Sequence, residues 1–160
     1  MLVQPRLLLA FVAMDWVLLA YRLPREPSTP RITLWRRLRR LGAVQLVDSL
    51  VALPADERTR EQFEWLAGEV EDAGGDATVW VGTLTSKAQE RELVERMSAA
   101  VAAGYRLVIE AAEAGSGRRT LNRLRRTLRD VRARDFFSPP ERAEAEQAVE
   151  QLAELVETAQ

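Results

Sequence analysis

Apolar positions fall in short continuous or alternating runs over the first half of the chain and at helical spacing over the second. WVLLAYRL at 16–23 is short, apolar and aromatic and is closed by Pro24, which predicts a buried strand. PREPSTP at 24–30 cannot continue a regular element, because three prolines fix φ and remove backbone donors. Ser28 and Thr29 ahead of Pro30 start a helix with a hydroxyl cap and a proline in its first turn. That helix runs to Leu41 and stops at Gly42, with Ile32, Leu34, Trp35, Leu38 and Leu41 read as its apolar stripe.

AVQLVDSLVALPA at 43–55 holds two short apolar runs around Asp48–Ser49, a hairpin or bulged strand pair. Residues 56–73 predict an acidic amphipathic helix with Phe63, Trp65, Leu66 and Val70 in the core, ended by Gly74–Gly75. DATVWVGTLTS is a fourth strand that turns Ala77, Val79 and Val81 inward. Strand, helix, strand, strand, helix, strand is the split βαβ (βαββαβ) order of a ferredoxin-like α+β fold, expected here over residues 15–86.

Residues 87–160 predict a helical region packed on that domain. KAQERELVERMSAAVAAGYRLVIEAAEAG is one long helix, or two broken near Gly104. After GSG at 115–117, Leu121, Leu124, Leu128 and Val131 keep a seven-residue repeat. Ser138 and two prolines open a last, acidic helix with a seam through Ala145, Val149, Leu152 and Val156. The basic and acidic helices are expected to form an antiparallel pair.

The first residues change the picture at the N-terminus. Arg6 and the apolar run Leu7–Ala13 suggest a signal peptide, but Asp15 interrupts the run before the roughly 20 residues a membrane span needs, and the cleavage pattern is poor. Residues 1–14 are therefore set apart as an N-terminal extension, with Met14 the expected start.

The formal net charge of −1 means that attraction to a polyanion must come from local asymmetry. Without cysteine or histidine there is no thiol catalysis, disulfide, soft-metal site or histidine base. Residues 21–42 nevertheless carry seven arginines, Arg22, Arg25, Arg31, Arg36, Arg37, Arg39 and Arg40, against the single acid Glu26. Guanidinium forks suit phosphates and other tetrahedral oxyanions, so this cluster is read as a DNA or oxyanion contact. Helix 56–73 would neutralise part of it if the two helices lie side by side. The aromatic interleaving of single-strand binders is not expected, since Trp35 is assigned to the core. A second cluster of eight arginines, Arg118 to Arg134, is either compensated by the acidic last helix or a second contact surface.

No catalytic residue is nominated. Phosphate-loop glycines are missing, GSG falls at the wrong boundary, and Asp15, Asp48, Asp56 and Asp76 sit at element ends where capping and turn roles explain them. Neither a metal nor a cofactor is expected. The aromatic pair Phe136–Phe137 after Asp135 reads as a packing plug at a helix end.

WVLLAYRLPREPSTPRITLWRRLRRLGAVQLVDSLVALPA, EQFEWLAGEVEDAGGDATVW and RARDFFSPPERAEAE together resemble the N-terminal domain of the ChrB chromate-resistance proteins, over nearly all of 15–150. That resemblance implies a cytoplasmic regulator of a chromate-efflux operon, with chromate as effector and DNA of its own operon as partner. The seven arginines after the first strand are its implied contacts. Full-length members carry a further C-terminal domain, whereas this chain stops at Gln160. The alternative expectation is thus a non-catalytic module that forms a homodimer or docks a separately encoded ChrB C-terminal domain. The first strand and hairpin are also similar to the small ferredoxin-like domain of phenylacetate-type repressors and of the small CRISPR adaptation subunit. Nucleases of that shape place an aspartate near the end of the first strand, where this chain has Tyr21–Arg22, which counts against nuclease activity.

Overall fold

A computed structural model describes residues 13–159, so the expected extension falls almost wholly outside the described residues. Among them the chain is mixed α and β, with a four-stranded antiparallel sheet and five helices. In chain order these are β1 (Trp16–Arg22), α1 (Thr29–Leu41), β2 (Val44–Val47), β3 (Leu50–Pro54), α2 (Glu57–Asp72), β4 (Asp76–Gly82), α3 (Lys87–Ala114), α4 (Gly117–Ala133) and α5 (Glu141–Thr158). They form two compact units. The first holds the described residues up to Arg39 and Ala43–Leu93; the second holds Arg40–Gly42 and the chain from Val94 onward.

In the first unit the sheet order is β2-β3-β1-β4, every neighbouring pair antiparallel. β3 and β1 are therefore paired on both sides, with Val17 of β1 opposite both Leu53 and Val81. Asp48 and Ser49 turn β2 into β3, and Ser49 takes the left-handed conformation at φ 63°. Gly42 does the same after α1 at φ 81°, where the absence of a Cβ removes the steric cost.

Asp56 caps α2 as expected. Its Oδ1 accepts from the Thr59 amide at 2.7 Å, while Thr59 Oγ1 accepts from the Asp56 amide at 2.9 Å. Thr59 is fully buried, and its hydroxyl also donates to the Pro54 carbonyl at 2.7 Å. Val17, Leu19, Leu53, Phe63, Leu66 and Val70 are buried in this unit. Trp16 is buried too, and its indole N–H donates to Glu90 Oε1 at 2.9 Å.

Four residues assigned to the core lie outside it. Ile32 and Trp35 are 47 % and 56 % exposed, Trp65 is 70 % exposed, and Val81 is exposed near the end of β4. On a helix at about 100° per residue, Leu34, Leu38 and Leu41 fall within about 60° of one another, whereas Trp35 and Ile32 lie about 100° and 160° from Leu34. α1 thus buries a narrow leucine stripe. Trp65 stands about 200° round α2 from Phe63 by the same arithmetic, and its N–H donates to Glu69 at 3.1 Å. Val81 is on an edge strand with a neighbour on one side only.

The second unit has its own core. Tyr105 and Val108 of α3, Leu121, Leu124, Leu128 and Val131 of α4, and Ala145, Val149, Leu152 and Val156 of α5 form one buried cluster, which includes both seams read from the repeats. α3 is one continuous helix. Gly104 serves close packing there, since a Cβ would come within 3.2 Å of Val131. Asp135 follows α4 and orders the turn into α5: its Oδ1 accepts from the amides of Phe137 at 3.1 Å and Ser138 at 2.8 Å. Both phenylalanines are half-buried there, as a packing plug requires.

Candidate functional site

β1 ends, the proline-rich loop leaves it, and α1 begins within one stretch of chain, so the arginines of that stretch converge. They line a cleft of about 630 Å³ in the first unit. Tyr21 and Arg22 come from β1, Arg25 and Ser28 from the loop, Arg31 and Arg36 from α1, and Ser49 from the β2–β3 turn. Ile32 and Trp35 supply its apolar wall. The stiff loop fixes where Arg25 leaves the chain, and the helix spaces Arg31, Trp35 and Arg36 within about two turns.

The seven sequence-predicted arginines divide into those that face the cleft and those that do not. Arg22, Arg25, Arg31 and Arg36 line it. Arg22 also meets Asp76 across the β1–β4 pair at 2.6 Å, an exposed ion pair that contributes little to stability. Arg25, Arg31 and Arg36 have no ion-pair partner among the described residues. Arg37 pairs with Glu69 of α2, which realises the expected neutralisation by the acidic helix at one position. Arg39 stacks over the Trp35 ring, 4.8 Å from its centroid. Arg40 lies outside the cleft.

Tyr21, which also lines the cleft, sits close enough to its charge to be shifted. Partial burial pushes its hydroxyl above the ordinary phenol range; Arg31 pulls it down and Asp48 adds to the rise. Three guanidinium groups without an ion-pair partner among the described residues, beside two hydroxyls, Ser28 and Ser49, can hold a tetrahedral oxyanion by charge-assisted hydrogen bonds. The exposed Trp35 corrects the core assignment and places an aromatic face next to that charge. Its signal in the sequence was the angular separation from the leucine stripe.

The Arg118–Arg134 cluster is compensated far less than an acidic neighbour suggests. Arg132 pairs with Glu146 of α5 at 2.8 Å, and Arg142 of α5 itself meets Glu146 at 3.2 Å and Asp135 at 3.5 Å. Burial would raise the Glu146 carboxyl, but hydrogen bonds from Arg132 and Arg142 outweigh it and hold the group below the usual range. Among the described residues no group of three or more acidic side chains could hold a metal, and no helix is long and apolar enough to cross a membrane.

Residues 31–114 match the family model described as Protein ChrB, N-terminal, and the chain belongs to that family. The match begins at Arg31, so it includes α1 from its third residue onward, with Trp35 and Arg36, and runs to the last residue of α3. No curated protein and no solved structure matches the chain.

Proposed function

We propose that this protein is a cytoplasmic, DNA-associated transcriptional regulator of a chromate-efflux operon, without a catalytic step of its own, and that its arginine cleft is where a tetrahedral oxyanion acts. Family membership supports the link to chromate resistance. The observation that carries the site is the convergence of Arg25, Arg31 and Arg36, none of them ion-paired among the described residues, on one cleft. Chromate is a dianion with the shape of phosphate, so the cleft accepts either the effector or a DNA phosphate, and competition between them couples sensing to release. The first unit is, in this reading, ferredoxin-like. Its support is the sheet order β2-β3-β1-β4, in which α1 and α2 each cross over one intervening antiparallel strand.

Fluorescence anisotropy against the DNA upstream of the protein's own gene tests this. Binding is expected to be salt-steep, and to be released by chromate but not by equal sulfate. The Arg31→Ala/Arg36→Ala double variant should lose affinity and reduce the log–log salt slope by about 2, at roughly 0.9 per phosphate contact. Equal release by sulfate, or an unchanged slope, would remove the cleft from the mechanism.

One observation favours a second reading, that of a dimerisation or docking module serving a separately encoded ChrB C-terminal domain. Edge strand β4 carries Trp80, 63 % exposed, beside the exposed Val81. Apolar residues on an open edge invite pairing with another chain. On that reading light scattering gives twice the monomer mass and Trp80→Lys restores the monomer; a monomeric wild type discards the homodimer.

A further inference from the structure

We infer that α4 is a phosphate-backbone contact surface for duplex DNA, separate from the arginine cleft. This rests on the proposed DNA association and gives it a second place on the molecule. Of the arginines along the helix, Arg118, Arg119, Arg123, Arg125, Arg126 and Arg129 have no ion-pair partner among the described residues; α5 engages Arg132 alone. The helix is 17 residues long, about 25 Å, and Asp130 is its one acid. Its buried side is Leu121, Leu124, Leu128 and Val131. At about 100° per residue Arg126 and Arg119 point nearly opposite the centre of that seam, Arg123 and Arg129 lie about 120° from it on either side, and Arg118 and Arg125 stand on its flank. Unrelieved positive charge therefore covers most of the solvent side along the length of the helix.

The composition of that surface selects the partner. Every leucine and valine of α4 is buried, and the solvent side adds only Thr120, Asn122, Thr127 and the end residues Gly117 and Ala133 to the charge. A stable protein interface needs a desolvated apolar or aromatic centre inside its polar rim, and α4 exposes none. Duplex DNA needs none: it presents a negative charge about every 1.7 Å of axis, and guanidinium groups with flanking hydroxyls and amides are the side chains that meet phosphate oxygens. Contacts of this kind position the protein without reading sequence.

The experiment compares three full-length proteins on a 20-base-pair duplex of arbitrary sequence and on the upstream DNA, across salt. They are the wild type, the cleft variant Arg31→Ala/Arg36→Ala, and an α4 variant carrying Arg118→Ala, Arg119→Ala, Arg123→Ala and Arg126→Ala. Circular dichroism checks that the α4 variant keeps its helices, which it should, because all four side chains are exposed. The α4 variant is expected to bind both duplexes on the order of 100-fold more weakly at low salt, with a slope shallower by about 3.6. The four corresponding lysine substitutions should hold the slope near wild type. If the folded α4 variant keeps the wild-type slope while the cleft variant loses it, the inference fails and the cleft reading stands. If the α4 variant loses it while chromate releases neither protein, the inference stands and the cleft reading fails. Binding of polyglutamate as tight as that of the arbitrary duplex, lost with the same four arginines, would overturn the assignment to DNA in favour of an acidic protein.

Discussion

Gly75→Ala is expected to destabilise the protein by about 3 kcal/mol, the upper end of what overpacking costs. A Cβ at this position would lie 2.2 Å from the Arg22 carbonyl oxygen and 2.9 Å from Val70 Cγ1. Neither obstacle can yield cheaply. The first is backbone of β1, held where Arg22 pairs with Asp76, and the second is a buried residue of α2. Gly75 cannot retreat either, because its amide donates to the Val70 carbonyl at 2.9 Å. At roughly 2–4 °C per kcal/mol for a chain of this size, the melting midpoint should fall by about 6–12 °C. Gly68→Ala provides the opposite sign. It lies within α2 with open space around its Cβ position, so alanine should add about 0.5–1 kcal/mol. A Gly75→Ala protein that melts with the wild type would mean that the end of β1 is free to move, and that the cleft it helps to build is not held in one shape.

Gly75 also marks where the sequence was legible and where it was not. Gly74–Gly75 read correctly as a helix stop, yet only one of the pair is needed for close approach, and a carbonyl 53 residues away decides which. Strands, helices and their order followed from local runs and breakers, because a proline or a two-residue polar turn acts on its own neighbourhood. The leucine and valine seams of α4 and α5 were legible for the same reason: a seven-residue repeat closes on itself. What failed was the sidedness of α1 and α2, where large apolar residues were counted into the core without regard to angle. Trp35 and Trp65 are tryptophans on polar faces, and only the helical wheel separates them from Leu34 or Phe63.

The candidate site shows the same division. All seven arginines were visible as a charge run, but which of them face one cleft depends on Glu69 from α2 and Ser49 from a turn between two strands, both distant in sequence. Charge balance misled in the other direction. An acidic α5 beside a basic α4 suggested compensation, yet acids compensate only where they can reach, and among the described residues Arg132 alone of the α4 arginines pairs with α5. The carboxylate of greatest structural consequence, Asp135, attracted notice only as a neighbour of two phenylalanines.

Asp135→Ala should cost about 3 kcal/mol, because it strands several groups at once. The side chain is 1 % exposed, accepts from the Tyr105 hydroxyl at 2.7 Å and from two turn amides, and faces Arg142 at 3.5 Å. Tyr105 is itself fully buried, so its hydroxyl has no water to turn to, and each unsatisfied buried group costs about 1–3 kcal/mol. Arg142 is partly exposed and adds little to the loss. Alkaline titration separates this account from a general packing defect. Burial first, and the bond to Asp135 second, hold the Tyr105 hydroxyl well above its ordinary ionisation range. The folded protein therefore keeps a proton that the unfolded chain releases near pH 10, and stability must fall as pH rises past that point. Tyr105→Phe should abolish that share of the decline and leave the smaller part due to Tyr21, whose hydroxyl is also raised. With Tyr21 and Tyr105 as the only tyrosines, absorbance at 295 nm follows both directly. Asp135→Asn should bring the Tyr105 transition down toward, but not to, the ordinary phenol range, because burial remains after the carboxylate has gone. If that transition stays where the wild type has it, the carboxylate is not what Tyr105 senses, and the turn amides alone make Asp135 necessary.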